Sequence, residues 1–79
     1  MGQSQVSFSL ERYTPESEVV TRAGKPVRIL EIIRHKLYPV VGVVIGDFED
    51  KPCVWTSSGM FQSYRATHLD LFIKVNDNV

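Results

Sequence analysis

The side chains that could carry chemistry in this sequence are few and lie far apart. Nucleophilic catalysis needs a thiol or hydroxyl, a histidine base and a carboxylate that orients the base. The sequence offers Cys53 for the first role, His35 or His68 for the second and Asp70 for the third. Cys53 lies inside a short apolar run typical of a buried strand, and no nucleophile-elbow motif surrounds it. We therefore expect no catalytic residue and predict that the chain is not an enzyme.

The same side chains do not form a recognisable metal or phosphate motif. A zinc site needs three or four ligands at short spacing, whereas the single cysteine and two histidines form no CxxC or HxxxH pair. Gly24 and Gly59 are isolated glycines typical of hairpin turns, and no glycine-rich turn opens a helix. We expect neither a metal ion nor a cofactor.

A basic stretch is the clearest binding signal. Arg28 and Arg34 are six residues apart, and this even spacing places them on one face of an extended strand. Aromatic residues elsewhere in the chain could stack on the bases of a single-stranded nucleic acid. The simpler interpretation is that these charges solvate strand ends and turns. The candidate nucleic-acid-binding residues are Arg22, Lys25, Arg28, Arg34, His35 and Lys36.

Charge balance favours the simpler interpretation. Nine basic residues offset nine acidic ones, so the formal net charge is zero. Nucleic-acid binding is possible but not favoured, because proteins that bind by neutralising phosphates are normally basic. A net charge near zero also removes electrostatic protection against self-association.

The elements that must position these residues are mostly β-strands. Gly24 occupies a turn that requires positive φ, Pro26 suits the first position of a strand, and Gly42 indicates a bulge or bend. Ser9 is placed to cap one helical turn over residues 9–13. We predict a mainly β fold, a small curled antiparallel meander or open barrel of about five strands with a short N-terminal helical turn. The predicted strands cover residues 19–21, 27–34, 38–45, 52–56 and 69–75.

The two long central strands predict an interaction surface. Residues 27–34 and 38–45 are apolar on both faces at their centres, a pattern typical of strands covered on two sides. Either the N-terminal segment with Phe8, Leu10 and Tyr13 packs over them, or a second copy or another protein does.

Length and composition limit the organisation of the chain. The 79 residues form a single domain, 1–79, for which we predict an ordered core over about residues 8–75 and frayed ends. One cysteine permits no intrachain disulfide, and no signal peptide is visible. The longest apolar stretch, residues 38–45, is too short to span a membrane. We therefore expect a cytoplasmic protein without a membrane partner.

Several runs of the sequence resemble a group of short, uncharacterised β-rich proteins of phages, prophages and Bacteroidetes. The resemblance rests on residues 20–30 (VTRAGKPVRIL), 38–43 (YPVVGV), 55–59 (WTSSG) and 70–72 (DLF), which occur in the same order. Those proteins usually have an acidic residue at the position of Ala23 and a glycine in the turn here formed by residues 35–37. The resemblance implies a mobile-element accessory protein but no reaction, cofactor or catalytic residue.

Together these patterns predict a non-enzymatic accessory or protein-interaction module of phage or mobile-element origin. We expect it to act through an unidentified protein partner or as a homodimer. The alternative is a small single-stranded nucleic-acid-binding barrel that uses the basic stretch, whose affinity would fall steeply with salt.

Overall fold

The computed structural model describes residues 3–76, which form one antiparallel β-sheet. The sheet order is β1-β6-β2-β3-β4-β5, so β2 to β5 form a meander and β6 is inserted between β1 and β2. The edge strands β1 and β5 do not pair with each other in the described residues, so the sheet is open. The mainly β meander is confirmed, with six strands. The strands are β1 (Gln3–Ser7), β2 (Glu18–Thr21), β3 (Pro26–Ile32), β4 (Val40–Val44), β5 (Lys51–Trp55) and β6 (Leu71–Asn76).

The N-terminal region differs from the prediction in two ways. Residues 3–7, expected to be frayed, form β1 along β6, with Val6 opposite Ile73. The predicted helical turn is wrong, because no helix is present among residues 3–76. Ser9 does accept the N–H groups of Arg12 and Tyr13, but one hydrogen-bonded turn cannot propagate into a stable helix. The C-terminal frayed end is predicted over residues 76–79, but Asn76 belongs to β6 and pairs with Gln3. Residues 77–79 lie outside the described residues.

The β2–β3 hairpin forms as its sequence predicts. Gly24 has φ of 87°, and its N–H donates to the carbonyl of Thr21 at 2.8 Å. The N–H of Thr21 in turn donates to the carbonyl of Lys25 at 2.9 Å. Pro26 then opens β3, where its missing N–H costs least.

The bulge indicated by Gly42 lies in the neighbouring strand. Ile29 is opposite Gly42 and Glu31 is opposite Val41, so Leu30 is an extra residue in β3. A Cβ atom at position 42 would clash with the carbonyl oxygen of Arg28. Gly42 is therefore required because the bulged backbone of β3 approaches it closely.

One face of the sheet, which we call the inner face, carries the hydrophobic core. Loop residues around Phe8 and Leu69 cover it, and the indole N–H of Trp55 donates to the carbonyl of Leu69 at 2.8 Å. Partly buried Leu10 and Tyr13 also pack against this core. The buried core residues are Phe8, Val19, Val40, Val44, Cys53, Trp55, Leu69, Leu71 and Ile73.

On the opposite, outer face, the side chains of β3, β4 and β5 are exposed or half-buried. The prediction that β3 is covered on both sides is therefore wrong, since Arg28, Leu30 and Glu31 are all exposed. The segments that contain Phe8 and Leu69 lie over the inner face, where they pack against the large core side chains. None of the described residues forms a helix long and apolar enough to cross a membrane.

Candidate functional site

The first residue of the basic stretch, Arg22, is held by intramolecular contacts. Its Nε–H donates to the carbonyl of Thr67 at 3.1 Å, and its Nη2 lies 3.3 Å from Oδ2 of Asp70. Its guanidinium also lies 5.0 Å from the centre of the Phe72 ring, within range of a cation–π interaction. These contacts give Arg22 a structural role between β2, β6 and the loop before β6.

The remaining basic residues do not share one surface. Lys25 lies at the β2–β3 turn and Arg28 on the outer face, opposite Val43. The bulge in β3 changes the alternation of side chains, and β3 ends at Ile32, so Arg34 does not share a strand face with Arg28. Residues 34–36 lie in the β3–β4 loop, roughly 20 Å from Lys25 along a seven-residue strand.

His35 also makes contacts that explain it structurally. Its Nδ1 accepts the backbone N–H groups of Leu37 at 3.2 Å and Tyr38 at 2.9 Å. These bonds close the β3–β4 loop in a chain segment that contains no glycine. The ring nitrogen that accepts them is therefore occupied by the backbone.

Asp70 is the most highly hydrogen-bonded carboxylate in the described part of the chain. Its Oδ1 accepts the N–H of Phe61 at 3.0 Å and the hydroxyl of Thr67 at 3.1 Å. Its Oδ2 accepts the N–H of Thr67 at 3.0 Å and a bond from Arg22. Burial alone would raise the pKa of Asp70, but these hydrogen bonds together hold the pKa below its usual value. The Thr67–Asp70 pair, which fits a helix capping box in the sequence, here ties a loop to the start of β6.

Cys53 lies on the inner face in the core, opposite Gly42. Burial raises the pKa of its thiol, and the nearby charge of Lys51 only partly opposes this shift. A thiol that remains protonated and buried is a poor nucleophile. This environment supports a packing role for Cys53.

We expect Cys53 to react slowly with iodoacetamide at pH 7. Alkylation of the folded protein should be at least about 100-fold slower than in 6 M urea, because the thiol must first be exposed by opening of the core. Mass spectrometry of timed samples gives both rates, and free cysteine in each buffer corrects for the effect of urea. Similar rates in the two conditions would contradict the burial of Cys53.

A cleft of about 280 Å³ opens at one end of the sheet. It lies where the β2–β3 turn, the β4–β5 loop and the segment before β6 meet. Its buried lining includes Thr21, Val44 and Leu69. The charged and titratable lining residues are Lys25, Glu49, Lys51 and His68.

Only part of this cleft could be anticipated from the sequence. Lys25 belongs to the basic stretch and His68 is a candidate catalytic base, but the sequence does not predict that they share a site. Glu49 and Lys51 belong to a polar run of the sequence that carries no binding signal; in the structure Lys51 is the first residue of β5. Cys53 is not among the cleft-lining residues, so this cleft does not assemble Cys53 with His68 and a carboxylate.

The outer face is divided into a polar half and an apolar half. Over β2 and β6, Lys74 forms an ion pair with Glu18 at 3.3 Å, while Arg22 lies over Phe72. Val20, on the same face, is only 2% exposed. Charged side chains therefore shield this half from solvent and from partners.

The apolar half lies over β4 and β5. The register places Val43 beside Pro52 and Val41 beside Val54 on the outer face, and Val54 is 42% exposed. On β3, Arg28 flanks the first pair and Glu31 flanks the second. We call these four apolar residues, Val41, Val43, Pro52 and Val54, the apolar strip.

Comparisons with protein-family models, with curated proteins and with solved structures find no match. Two surfaces of the described residues are candidate binding sites, the apolar strip on the outer face and the charged cleft at the end of the sheet.

Proposed function

We propose that this protein is a non-enzymatic protein-interaction module whose apolar strip packs against the same strip of a second copy. The observation that carries the proposal is the division of the outer face. Its β2–β6 half is shielded by an ion pair and a cation–π contact, whereas in the apolar strip Pro52 and Val54 are exposed and Val41 and Val43 are half-buried. An uncovered apolar surface beside polar surroundings is typical of an interaction site.

The charges beside the strip are arranged for self-association. Arg28, Val43 and Pro52 form one row across β3, β4 and β5, and Glu31, Val41 and Val54 form the next row. A two-fold axis that runs across the strands between the rows places each row against the other row of the partner copy. Arg28 would then face Glu31 of the second copy, twice per dimer, while apolar side chains face one another between them.

The neighbouring sheet edge favours packing by the face over pairing by the edge. β5 is an edge strand, and it contains Lys51 and Pro52. A lysine and a proline are typical of edges protected against pairing with another strand. The outer face beside that edge carries no comparable protection.

As part of the same proposal, we assign the chain to the accessory proteins of phages and other mobile elements. This assignment rests on the resemblance carried by residues 20–30, 38–43, 55–59 and 70–72. A homodimer is the simplest assembly in which such a small domain covers its apolar surface.

We expect the protein to sediment at twice its 9.0 kDa monomer mass at high concentration. The apolar strip is smaller than a standard interface, so we expect a dissociation constant on the order of 10 μM. Val54→Lys should weaken the dimer at least about tenfold, because it places a charge in the apolar part of the interface. Val75→Lys, at a valine 37% exposed on the other side of the sheet, is the matched control. Analytical ultracentrifugation from 1 to 500 μM measures all three.

A charge exchange tests the proposed two-fold arrangement. Arg28→Glu and Glu31→Arg should each weaken the homodimer, because each places like charges together. A mixture of these two variants should form a heterodimer, in which both contacts between positions 28 and 31 again join opposite charges. A wild-type monomer at 500 μM would contradict the proposed dimer, and failure of the mixture to associate would contradict its geometry. Salt-dependent binding of a single-stranded oligonucleotide that is lost in Arg28→Glu would instead support the nucleic-acid alternative.

A further inference from the structure

We infer that the cleft at the end of the sheet binds a small carboxylate with a short apolar body. None of the four residues of the apolar strip lines the cleft, so this inference does not depend on dimer formation.

The charge of the cleft selects an anion. Lys25 and Lys51 both line it, and Glu49 is its one lining carboxylate. The ion pairs of the described residues, Arg22 with Asp70 and Lys74 with Glu18, involve none of these three side chains. Two ammonium groups that form no ion pair with the described residues, opposed by one carboxylate, give the cleft lining a net positive charge. Such a concave positive surface attracts small anions.

A buried hydroxyl group adds a donor to the cleft. Thr21 is 0% exposed to solvent and lines the cleft. Its Oγ1 accepts the N–H of Lys25 at 3.1 Å, while no described residue accepts the hydrogen of its hydroxyl. A hydroxyl can donate one bond while it accepts another, so Thr21 can donate to an oxygen atom of a bound ligand.

The rest of the lining selects an apolar body of limited size. Val44 and Leu69 are buried and Ile45 is half-buried, so a ligand that enters beyond the lysines meets aliphatic carbon. Sites for drug-sized ligands usually measure about 300–1,000 Å³, and this cleft is slightly smaller. A carboxylate carrying a few carbon atoms matches this volume better than a bare inorganic anion or a nucleotide.

Titrations with three probes, followed by amide chemical shifts of the ¹⁵N-labelled protein, test this inference. The probes are sodium butyrate, inorganic phosphate and butylammonium chloride at equal ionic strength. We expect saturable shifts with butyrate, confined to residues 21–25, 44–51 and 68–69. We also expect at least about fivefold weaker binding of phosphate, which cannot use the aliphatic lining, and no saturation with butylammonium.

Charge variants identify the groups responsible. Lys25→Gln and Lys51→Gln should each weaken butyrate binding about fivefold, whereas Glu49→Gln should strengthen it about threefold. Lys36→Gln, in the exposed β3–β4 loop, is the control and should leave binding unchanged. The same spectra report whether each variant is folded.

Several results would overturn the inference. Shifts with butyrate that do not saturate would show that the cleft does not bind it specifically, and shifts spread over the whole sheet would indicate nonspecific binding. Equal binding of butylammonium would contradict anion selection, and phosphate binding as tightly as butyrate would contradict the role of the apolar lining. An equal effect of Lys36→Gln and Lys51→Gln would show that only overall charge matters.

Discussion

Gly42→Ala should destabilise the protein by about 3 kcal/mol, because the added methyl group meets backbone atoms of the β3 bulge. The carbonyl oxygen of Arg28 would clash with it, and the carbonyl carbon of Arg28 and the Cα of Ile29 would both lie 3.2 Å from it. Backbone atoms held in a ladder of hydrogen bonds cannot move aside as a flexible side chain can. In a domain of this size, the loss corresponds to a fall in Tm of about 12–24 °C.

Gly24→Ala is the informative control for this substitution. Gly24 has positive φ, but a Cβ atom there would meet no heavy atom within 4 Å. Gly24→Ala should therefore destabilise the protein only by the free energy of holding an alanine at positive φ, about 1 kcal/mol. Thermal unfolding followed by circular dichroism measures both variants. If Gly24→Ala lowers Tm more than Gly42→Ala does, the close approach of β3 and β4 at the bulge is wrong.

Asp70→Asn should destabilise the protein by about 2–3 kcal/mol at neutral pH. The amide replaces one carboxylate oxygen with a donor, which faces other donors from either Phe61 or Thr67. It also removes the charge that pairs with Arg22. Asp47→Asn, at an exposed loop position, should change stability by less than about 0.5 kcal/mol. Urea denaturation of the three proteins gives the comparison.

The cost of Asp70→Asn should depend on pH. Burial raises the pKa of Asp70, but its hydrogen bonds more than compensate, so the folded-state pKa is below the usual value. The unfolded chain protonates Asp70 near pH 4, so its contribution is complete above that pH and is lost as the pH falls through the folded-state pKa. We expect the wild type to exceed Asp70→Asn in stability most clearly between pH 5 and 7. A stability difference that stays constant down to pH 2 would contradict this linkage.

Asp70 links the fold to the proposed binding surfaces. It positions Arg22, whose guanidinium lies over Phe72 on the outer face. It also holds Thr67 and Phe61 in the loop that leads to His68 and Leu69 beside the cleft. The same carboxylate thus shapes the polar half of the outer face and one wall of the cleft.

The two proposals can be tested separately because the two surfaces share no residue. Val54→Lys changes the apolar strip without touching the cleft lining. Lys25→Gln changes the cleft without altering Arg28 or Glu31 on the outer face. Loss of dimerisation with intact butyrate binding, or the reverse, would therefore assign each activity to its own surface.

The nucleic-acid alternative depends on residues that the fold separates. The six basic residues are close together along the chain, but this does not place them close together in space. In the sheet, Arg22 is tied to Asp70, Arg28 is on the outer face, and residues 34–36 lie at the far end of β3. A cluster of residues in the sequence does not predict a surface patch when an extended strand separates those residues and a bulge changes which face of the sheet their side chains occupy.

Local patterns in the sequence were sufficient to predict several elements of the fold. The alternation of Leu69, Leu71, Ile73 and Val75 predicts that they share one face of a strand. The first three are buried, whereas Val75 is 37% exposed. Gly24 predicts a turn with positive φ, and Pro26 predicts the start of a strand. These predictions succeed because side-chain alternation and φ restrictions act within a few residues and need no distant partner.

Only the tertiary structure decided where β1 lies, which face of the sheet is covered and which residues line the cleft. Polar residues 3–7 have little strand signal, and they form β1 by pairing with β6 near the other end of the chain. The cleft is lined by Lys25, Lys51 and His68 because three separate segments of the chain converge at one end of the sheet. Such contacts depend on strand order, which arises from the burial of the whole apolar surface and is not encoded in any short segment.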